Sequence, residues 1–187
     1  FYAGTAVDPS PRIRLENEEL RKAFASRKEL VSRLLPAIPV GKELSRDVLL
    51  LDQGETAGVR QGMVVVSSAR EAVGIIIEAG PHSSKVRLIS DKDFATAVSL
   101  PDREITAILK GRGNFHLVLD LVPRDRHLEP GDPVFTSSLG SVFPPGLLMG
   151  RVETIERQNE ESFQRANVAP LFDVSKASLL FVILALP

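Results

Sequence analysis

The first residues to weigh for catalysis or metal binding are three histidines, His82, His116 and His127. None has a histidine or carboxylate at a familiar metal-ligand spacing. The chain has no cysteine, so a thiolate zinc site and a disulfide framework are both excluded. Each histidine reads as a turn or strand-surface side chain. A triad in the chain order histidine, aspartate, serine can be lined up as His82, Asp120 and Ser137. A serine protease of that order needs its nucleophile in a Gly-Asp-Ser-Gly context. The nearest match is Gly131-Asp132-Pro133-Val134. Pro133 supplies neither a nucleophile nor a backbone N–H for an oxyanion hole. Gly111-Arg112-Gly113 lacks the third glycine and the following helix of a phosphate cradle, and reads as a hairpin. Asp91/Asp93 and Glu160/Glu161 lie in polar turns and read as solvated loops, not as a glycosidase pair. The residue chemistry points to a binding or structural protein with no catalytic residues, no metal and no cofactor.

The elements that position these residues follow from composition and pattern. The chain has 187 residues, room for one domain or two small ones, and 43% are hydrophobic, enough for a sizeable core. Its net charge of −1 lacks the basic excess of a nucleic-acid binder. A carbohydrate-binding module of the cell wall would want exposed aromatics for sugar stacking. The chain has no Trp, one Tyr and nine Phe, several of them in strand patterns. The longest apolar run, Leu179 to Leu186, is far below the roughly 20 residues that span a bilayer, and reads as a buried strand. The chain begins at Phe1 without a visible signal peptide, which reads as a processed or shortened protein and leaves room for a membrane anchor upstream.

Residues 1–11, with Pro9 and Pro11, form an irregular N-terminal segment. Residues 12–36 form a predicted helix, free of Gly and Pro until Pro36 stops it. Ile13, Asn17, Leu20, Phe24, Arg27, Val31 and Leu34 follow the alternating 4-3 spacing of a coiled coil. The same pattern also fits an ordinary amphipathic helix docked on its own domain. Leu20, Phe24, Val31 and Leu34 are the candidate self-association seam. From Ala37 onward the texture is β, with short apolar runs punctuated by Gly, Pro, Asp and Ser. Predicted strands are Val48–Leu51, Met63–Ser67, Val73–Glu78, Lys85–Ile89, Ala95–Leu100, Ile105–Lys110, Phe115–Leu121, Val134–Thr136, Leu148–Ile155, Arg165–Val168 and Leu179–Ala185. No helical stretch separates them, so the expected fold class is mainly β, sandwich or barrel, and parallel βαβ units are excluded.

Four stretches resemble the rod shape-determining MreC family in consistent order. Leu50-Leu51-Asp52-Gln53-Gly54-Glu55-Thr56-Ala57-Gly58-Val59-Arg60-Gln61-Gly62-Met63-Val64-Val65 is similar to a strand–turn–strand segment of that family. Val73–Glu78 and Ser83–Asp91 are similar to the segments that follow. The most specific stretch runs from Pro130-Gly131-Asp132-Pro133-Val134-Phe135-Thr136-Ser137 through Gly140, Phe143-Pro144-Pro145-Gly146 to Gly150. There the family has Gly-Asp-x-Val-x-Thr-Ser-Gly, then Phe-Pro-x-Gly and a further glycine. Ser138 stands where the family usually has glycine, and Pro133 and Pro145 are additional prolines. Gly54, Gly62, Gly131, Asp132, Thr136, Ser137, Gly140, Phe143, Pro144, Gly146 and Gly150 are accordingly candidate structural residues. Read physically, Gly131 permits a sharp turn and Asp132 accepts from nearby backbone N–H groups. Phe143 is an apolar anchor stiffened by Pro144-Pro145, and Gly146 and Gly150 allow a bend or bulge back into the sheet.

The resemblance implies a single-pass, membrane-anchored protein whose coiled coil and two small β-barrels lie on the extracytoplasmic face. The barrels would be of the chymotrypsin type without its triad, the second inserted into the first. That places barrel one at 37–68 plus 147–187 and barrel two at 69–146. It also implies a homodimer or higher assembly. MreD, a class B penicillin-binding protein and the MreB system would be its partners in directing lateral peptidoglycan synthesis. The predicted helix carries seven basic against four acidic side chains over residues 12–35. Positive flanks favour the cytoplasmic side, so an extracytoplasmic placement needs the anchor's other flank to outweigh them.

Overall fold

The computed structural model describes residues 34–43, 46–156 and 162–184. Thirteen strands form two antiparallel sheets among them. The first sheet holds β1 (Leu34–Ala37), β2 (Pro39–Glu43), β3 (Val48–Leu51), β4 (Val64–Ser67), β5 (Ala72–Ala79), β6 (Ser84–Leu88) and β13 (Leu180–Ile183). Its spatial order is β1-β13-β4-β5-β6-β3-β2. The two outermost strands, β1 and β2, are separated in sequence by Ile38 alone. Consecutive Cα atoms lie about 3.8 Å apart, so the two edges must meet and the sheet must roll up. Asp52 fastens that corner: its carboxylate accepts from the Ile38 N–H (2.7 Å), while its own N–H donates to the Ile38 carbonyl (3.1 Å). The interior is aliphatic, with Leu49, Leu51, Val65, Ile76 and Val86 buried.

The second sheet is a closed six-stranded barrel, β10-β11-β12-β9-β8-β7. It uses β7 (Ala95–Leu100), β8 (Ile105–Gly113), β9 (His116–Pro123), β10 (Pro133–Thr136), β11 (Leu148–Glu156) and β12 (Phe163–Ala169). Closure comes from β10, which pairs with β11 on one side and β7 on the other. Period-two alternation explains which residues fill it. On β8, Ile105, Ala107, Leu109 and Gly111 point inward, and on β12 Gln164, Ala166 and Val168 do. A closed barrel has no free edge, which removes the main route to unwanted strand pairing.

Eleven of these strands match expectation to within a few residues, but β1 and β2 were not expected. Leu34 and Leu35, assigned to the helix, are strand residues, with Leu34 in β1 and no longer on a helical seam. Pro36 ends no helix there; it sits in a strand at the edge of the sheet, where a missing N–H is tolerated. The rest of the predicted helix, with Leu20, Phe24 and Val31, lies outside the described residues. The expected barrel borders also differ from the sheets. β5 and β6 belong to the first sheet, and β11 and β12 complete the closed barrel. The stretch Ser68-Ala69-Arg70, read as a border, is a tight hairpin between β4 and β5. The Ser67 hydroxyl closes it by accepting from the N–H groups of Ala69 and Glu71, both at 3.2 Å.

On the barrel wall, Asp120 of β9 bridges its two neighbouring strands. Lys110 of β8 donates to it at 2.8 Å and Arg165 of β12 at 3.1 Å. These bonds, Lys110 foremost, together with the Leu121 N–H, hold the Asp120 carboxyl down at about 2, from an ordinary 3.8. A depressed folded-state pKa stabilises the fold fully above the unfolded value. That contribution is lost as pH falls from about 4 towards 2. Lys110 and Arg165 are more than a third exposed, so the contribution is about 1 kcal/mol after solvent screening. The unfolding free energy should therefore fall across this window in the parent and stay flatter in Asp120→Asn. Identical slopes for the two would show that the bridge is not formed in solution.

Candidate functional site

The loop between β10 and β11 gathers most of the sequence-singled residues, and Thr136 organises it. Its hydroxyl donates to the Pro144 carbonyl at 2.6 Å and accepts from the Leu147 N–H at 2.9 Å. Its N–H donates to the Leu147 carbonyl, and its carbonyl accepts from the Gly146 N–H at 3.0 Å. Thr136 is 2% exposed, so all four bonds are shielded from water. Gly146 closes the loop at φ +82°, a conformation that a β-carbon penalises. Ser137 is buried. Its hydroxyl accepts from the Leu139 N–H (3.1 Å) and its N–H donates to the Ala97 carbonyl on β7 (3.2 Å). Ser141 repeats the motif, accepting from the Phe143 N–H (3.1 Å) and sharing a hydrogen bond with Thr96 (3.0 Å). Phe143 is 3% exposed, its ring meeting Phe94 edge to face at 5.8 Å.

With Thr136 and Ser137 turned inward, the loop sends two aliphatic side chains outward. Leu139 is 68% exposed and Val142 65%. Sequence reading passed over both, because isolated aliphatics in a Ser-Gly-Pro loop carry no periodicity that reveals which way they face.

Just before the other end of β10 stands Asp132. Its carboxylate accepts from the Glu129 N–H at 2.9 Å. It also takes a forked pair of bonds from Arg103, with Nε at 3.0 Å and Nη2 at 3.0 Å. Arg103 binds Glu129 as well. These contacts, Asp132 first, raise the Arg103 guanidinium above its ordinary value, and Arg103 in turn lowers the Glu129 carboxyl. Arg103 lies about thirty residues from its partners in a Pro-Asp-Arg-Glu turn, and nothing in local spacing pairs it with them. Gly131 turns at φ +95°, bonded to the Val152 carbonyl. Pro144 supplies the carbonyl that Thr136 grips. Gly150 pairs with Val134 beside a bulge in β10–β11.

Gly54 and Gly62 lie elsewhere: Gly54 caps the 3-10 turn Glu55–Ala57, and Gly62 lies in the turn before β4, its N–H donating to the Ile76 carbonyl. The residues of the notional triad are each engaged separately. His82, in the β5–β6 turn, lies 3.3 Å from the Thr56 hydroxyl, Asp120 is tied to Lys110 and Arg165, and Ser137 serves Leu139. His127 contacts Glu129 at 2.9 Å. Among the described residues, no group of three or more His, Cys, Asp or Glu side chains could hold a metal ion. None of their helices is long and apolar enough to cross a membrane. The arrangement presents a braced surface loop in which, among the described residues, the Thr136 and Ser137 hydroxyls bond backbone groups.

Comparison with known proteins gives this arrangement its context. The family described as rod shape-determining protein MreC, barrel core, matches residues 38–184. The cell shape-determining protein MreC of Haemophilus influenzae is 27% identical over 163 residues, covering 86% of this chain and 46% of its own length. The chain thus spans about half the length of the curated relatives it matches. The crystal structure of MreC from Pseudomonas aeruginosa superposes with a TM-score of 0.76 at 23% identity. It covers 80% of this chain and 98% of that one. MreC in a complex with the penicillin-binding protein PBP2 from Helicobacter pylori has a TM-score of 0.62 at 20% identity. The coverage there is 82% and 98%. At these identities the structural matches speak for the fold.

Proposed function

The chain belongs to the MreC family of rod shape-determining proteins, and from that premise we propose that it is a non-catalytic scaffold of the cell-elongation machinery. In this reading it lies on the extracytoplasmic face of the bacterial cytoplasmic membrane, held by an N-terminal anchor in the whole protein. It links the MreB system and MreD to a class B penicillin-binding protein and so directs lateral peptidoglycan synthesis. The observation that carries the reading is how the family-motif residues are used. Asp132, Thr136 and Ser137 are committed to bracing the closed barrel, and among the described residues none faces a partner that would make it an acid, base or nucleophile. A fold braced in this way holds its surface in a fixed shape, the requirement of a protein that positions others. The Helicobacter pylori complex named above supports a penicillin-binding protein as the partner.

Binding of the full-length protein to the extracytoplasmic part of a class B penicillin-binding protein, measured by interferometry, tests this. Saturable binding, unaffected by Ser137→Ala, is expected. Absence of binding together with failure to restore rod shape in cells depleted of their own MreC would overturn the reading.

Self-association belongs to the same reading and is placed on Leu20, Phe24 and Val31. About three heptads is marginal for a free helix, so the contact should be weak in the 187-residue chain and strengthened by membrane anchoring. Sedimentation across a wide concentration range should show a dimer that the double variant Leu20→Asp/Val31→Asp loses. The same species for both proteins would rule this seam out.

A further inference from the structure

The two sheets are joined covalently twice, through Ile89–Phe94 after β6 and through residues 170–179 before β13. Beyond the chain itself, an isolated bridge pairs Glu71 with Leu148. A second contact crosses between them and has an unusual character. Asp47, at the turn from β2 to β3 of the first sheet, is 3% exposed. Its carbonyl accepts from the Leu88 N–H at 2.9 Å, which fixes it to its own sheet. Its Oδ2 accepts from the Phe115 N–H at 3.2 Å, at the tip of the β8–β9 hairpin of the closed barrel. Its Oδ1 is buried and has no hydrogen-bond partner among the described residues.

Both sides of this contact sit in left-handed backbone. Asp47 is at φ +45°, Asn114 at +52° and Phe115 at +62°. Asparagine and aspartate tolerate that region, but phenylalanine does not favour it. A two-residue hairpin tip of this kind ordinarily takes Asn-Gly. Here a bulky residue is held in a glycine conformation while its N–H is captured by a carboxylate from the other sheet. Strain of this sort persists only where the surroundings impose it. A half-satisfied buried carboxylate adds a cost of its own.

We propose that Asp47 is a latch that sets the angle between the first sheet and the closed barrel, and that opening the Asp47–Phe115 bond gives access to a second angle. The closed arrangement carries stored strain at the hairpin tip and an unsatisfied oxygen at the turn, so it is poised between two packings of the same joint. Any partner that touches both would select one angle. Asp47 is thus a positioning residue for the assembly and touches no substrate.

The absence of cysteine makes the test direct. Spin labels at Arg60→Cys on the first sheet and Asp102→Cys on the closed barrel, both exposed, report the distance between the two. The parent should give one narrow distance. Asp47→Gly suits the left-handed backbone and removes only the carboxylate, and should give a broadened or two-peaked distribution. Asp47→Asn keeps an acceptor and should restore the single peak. A single unchanged peak in Asp47→Gly overturns the proposal. Hydrogen exchange in the unlabelled 187-residue chain decides the matter should Asp47→Gly not fold. The Phe115 amide should then exchange at least tenfold more slowly than expected for an open turn, and exchange at the open-turn rate overturns the latch.

Discussion

Phe143→Ala should lower the unfolding free energy by about 3–5 kcal/mol, the range for a large aromatic truncated in a core. The ring is almost wholly buried and occupies the space between the β10–β11 loop and Phe94. Its removal leaves a cavity that the loop cannot collapse into, because Thr136 fixes the loop at Pro144, Gly146 and Leu147. The edge-to-face contact contributes about 0.5–1.5 kcal/mol beyond area, so Phe94→Ala should couple to Phe143→Ala by that amount in a double-mutant cycle. Urea unfolding with an unchanged slope is the measurement. A midpoint within error of the parent would mean that the ring does not occupy this pocket in solution. Leu139→Ala is the internal control: the side chain is mostly exposed, and its loss should change stability by under about 0.5 kcal/mol.

Phe143 stands out in the sequence, and the reason is local. It stands as an isolated aromatic ahead of two prolines, between glycines that mark turns. The strands of both sheets were legible for the same kind of reason, since alternation and turn residues are properties of adjacent positions. β1 and β2 were hidden because Pro36, Pro39 and Gly41 break the strand pattern and the helical spacing runs on through Leu34 and Leu35. Which strand belongs to which sheet was not legible from local pattern. β13 pairs with β4 across more than a hundred residues, and a pairing of that separation leaves no trace in a short window. The Arg103 fork on Asp132 and the Asp47 contact with Phe115 were invisible for that reason as well. The two halves of each contact lie in different turns, and only the closed topology brings them together.

Gly54 shows the same limit in a single residue, and its substitution should have the second large effect. From sequence it reads as one more turn glycine. Its backbone is extended, at φ −141°, which any residue adopts, so conformation does not require glycine there. Space does. A β-carbon at position 54 would lie 2.2 Å from the Gly80 carbonyl oxygen, 2.6 Å from the Ser83 nitrogen and 2.8 Å from the His82 nitrogen. All three are backbone atoms of the β5–β6 turn, so no side chain can swing aside. The same turn accepts hydrogen bonds from the N–H groups of Glu55 (2.9 Å) and Thr56 (3.1 Å) and from the Thr56 hydroxyl (2.8 Å). Moving the turn away to admit the methyl group therefore lengthens bonds that hold the two segments together. Gly54→Ala should cost about 3 kcal/mol or more, the upper end of the overpacking range, with lost hydrogen bonds adding to the clash. Gly62→Ala is the discriminating comparison. Gly62 has φ +89° and nothing within 4 Å of a built β-carbon, so only backbone strain of about 1–2 kcal/mol opposes it. Unfolding midpoints for the two variants should differ clearly, with Gly54→Ala the lower. Equal midpoints would mean that the two turns are not packed backbone to backbone, and that Gly54 is an ordinary turn residue after all.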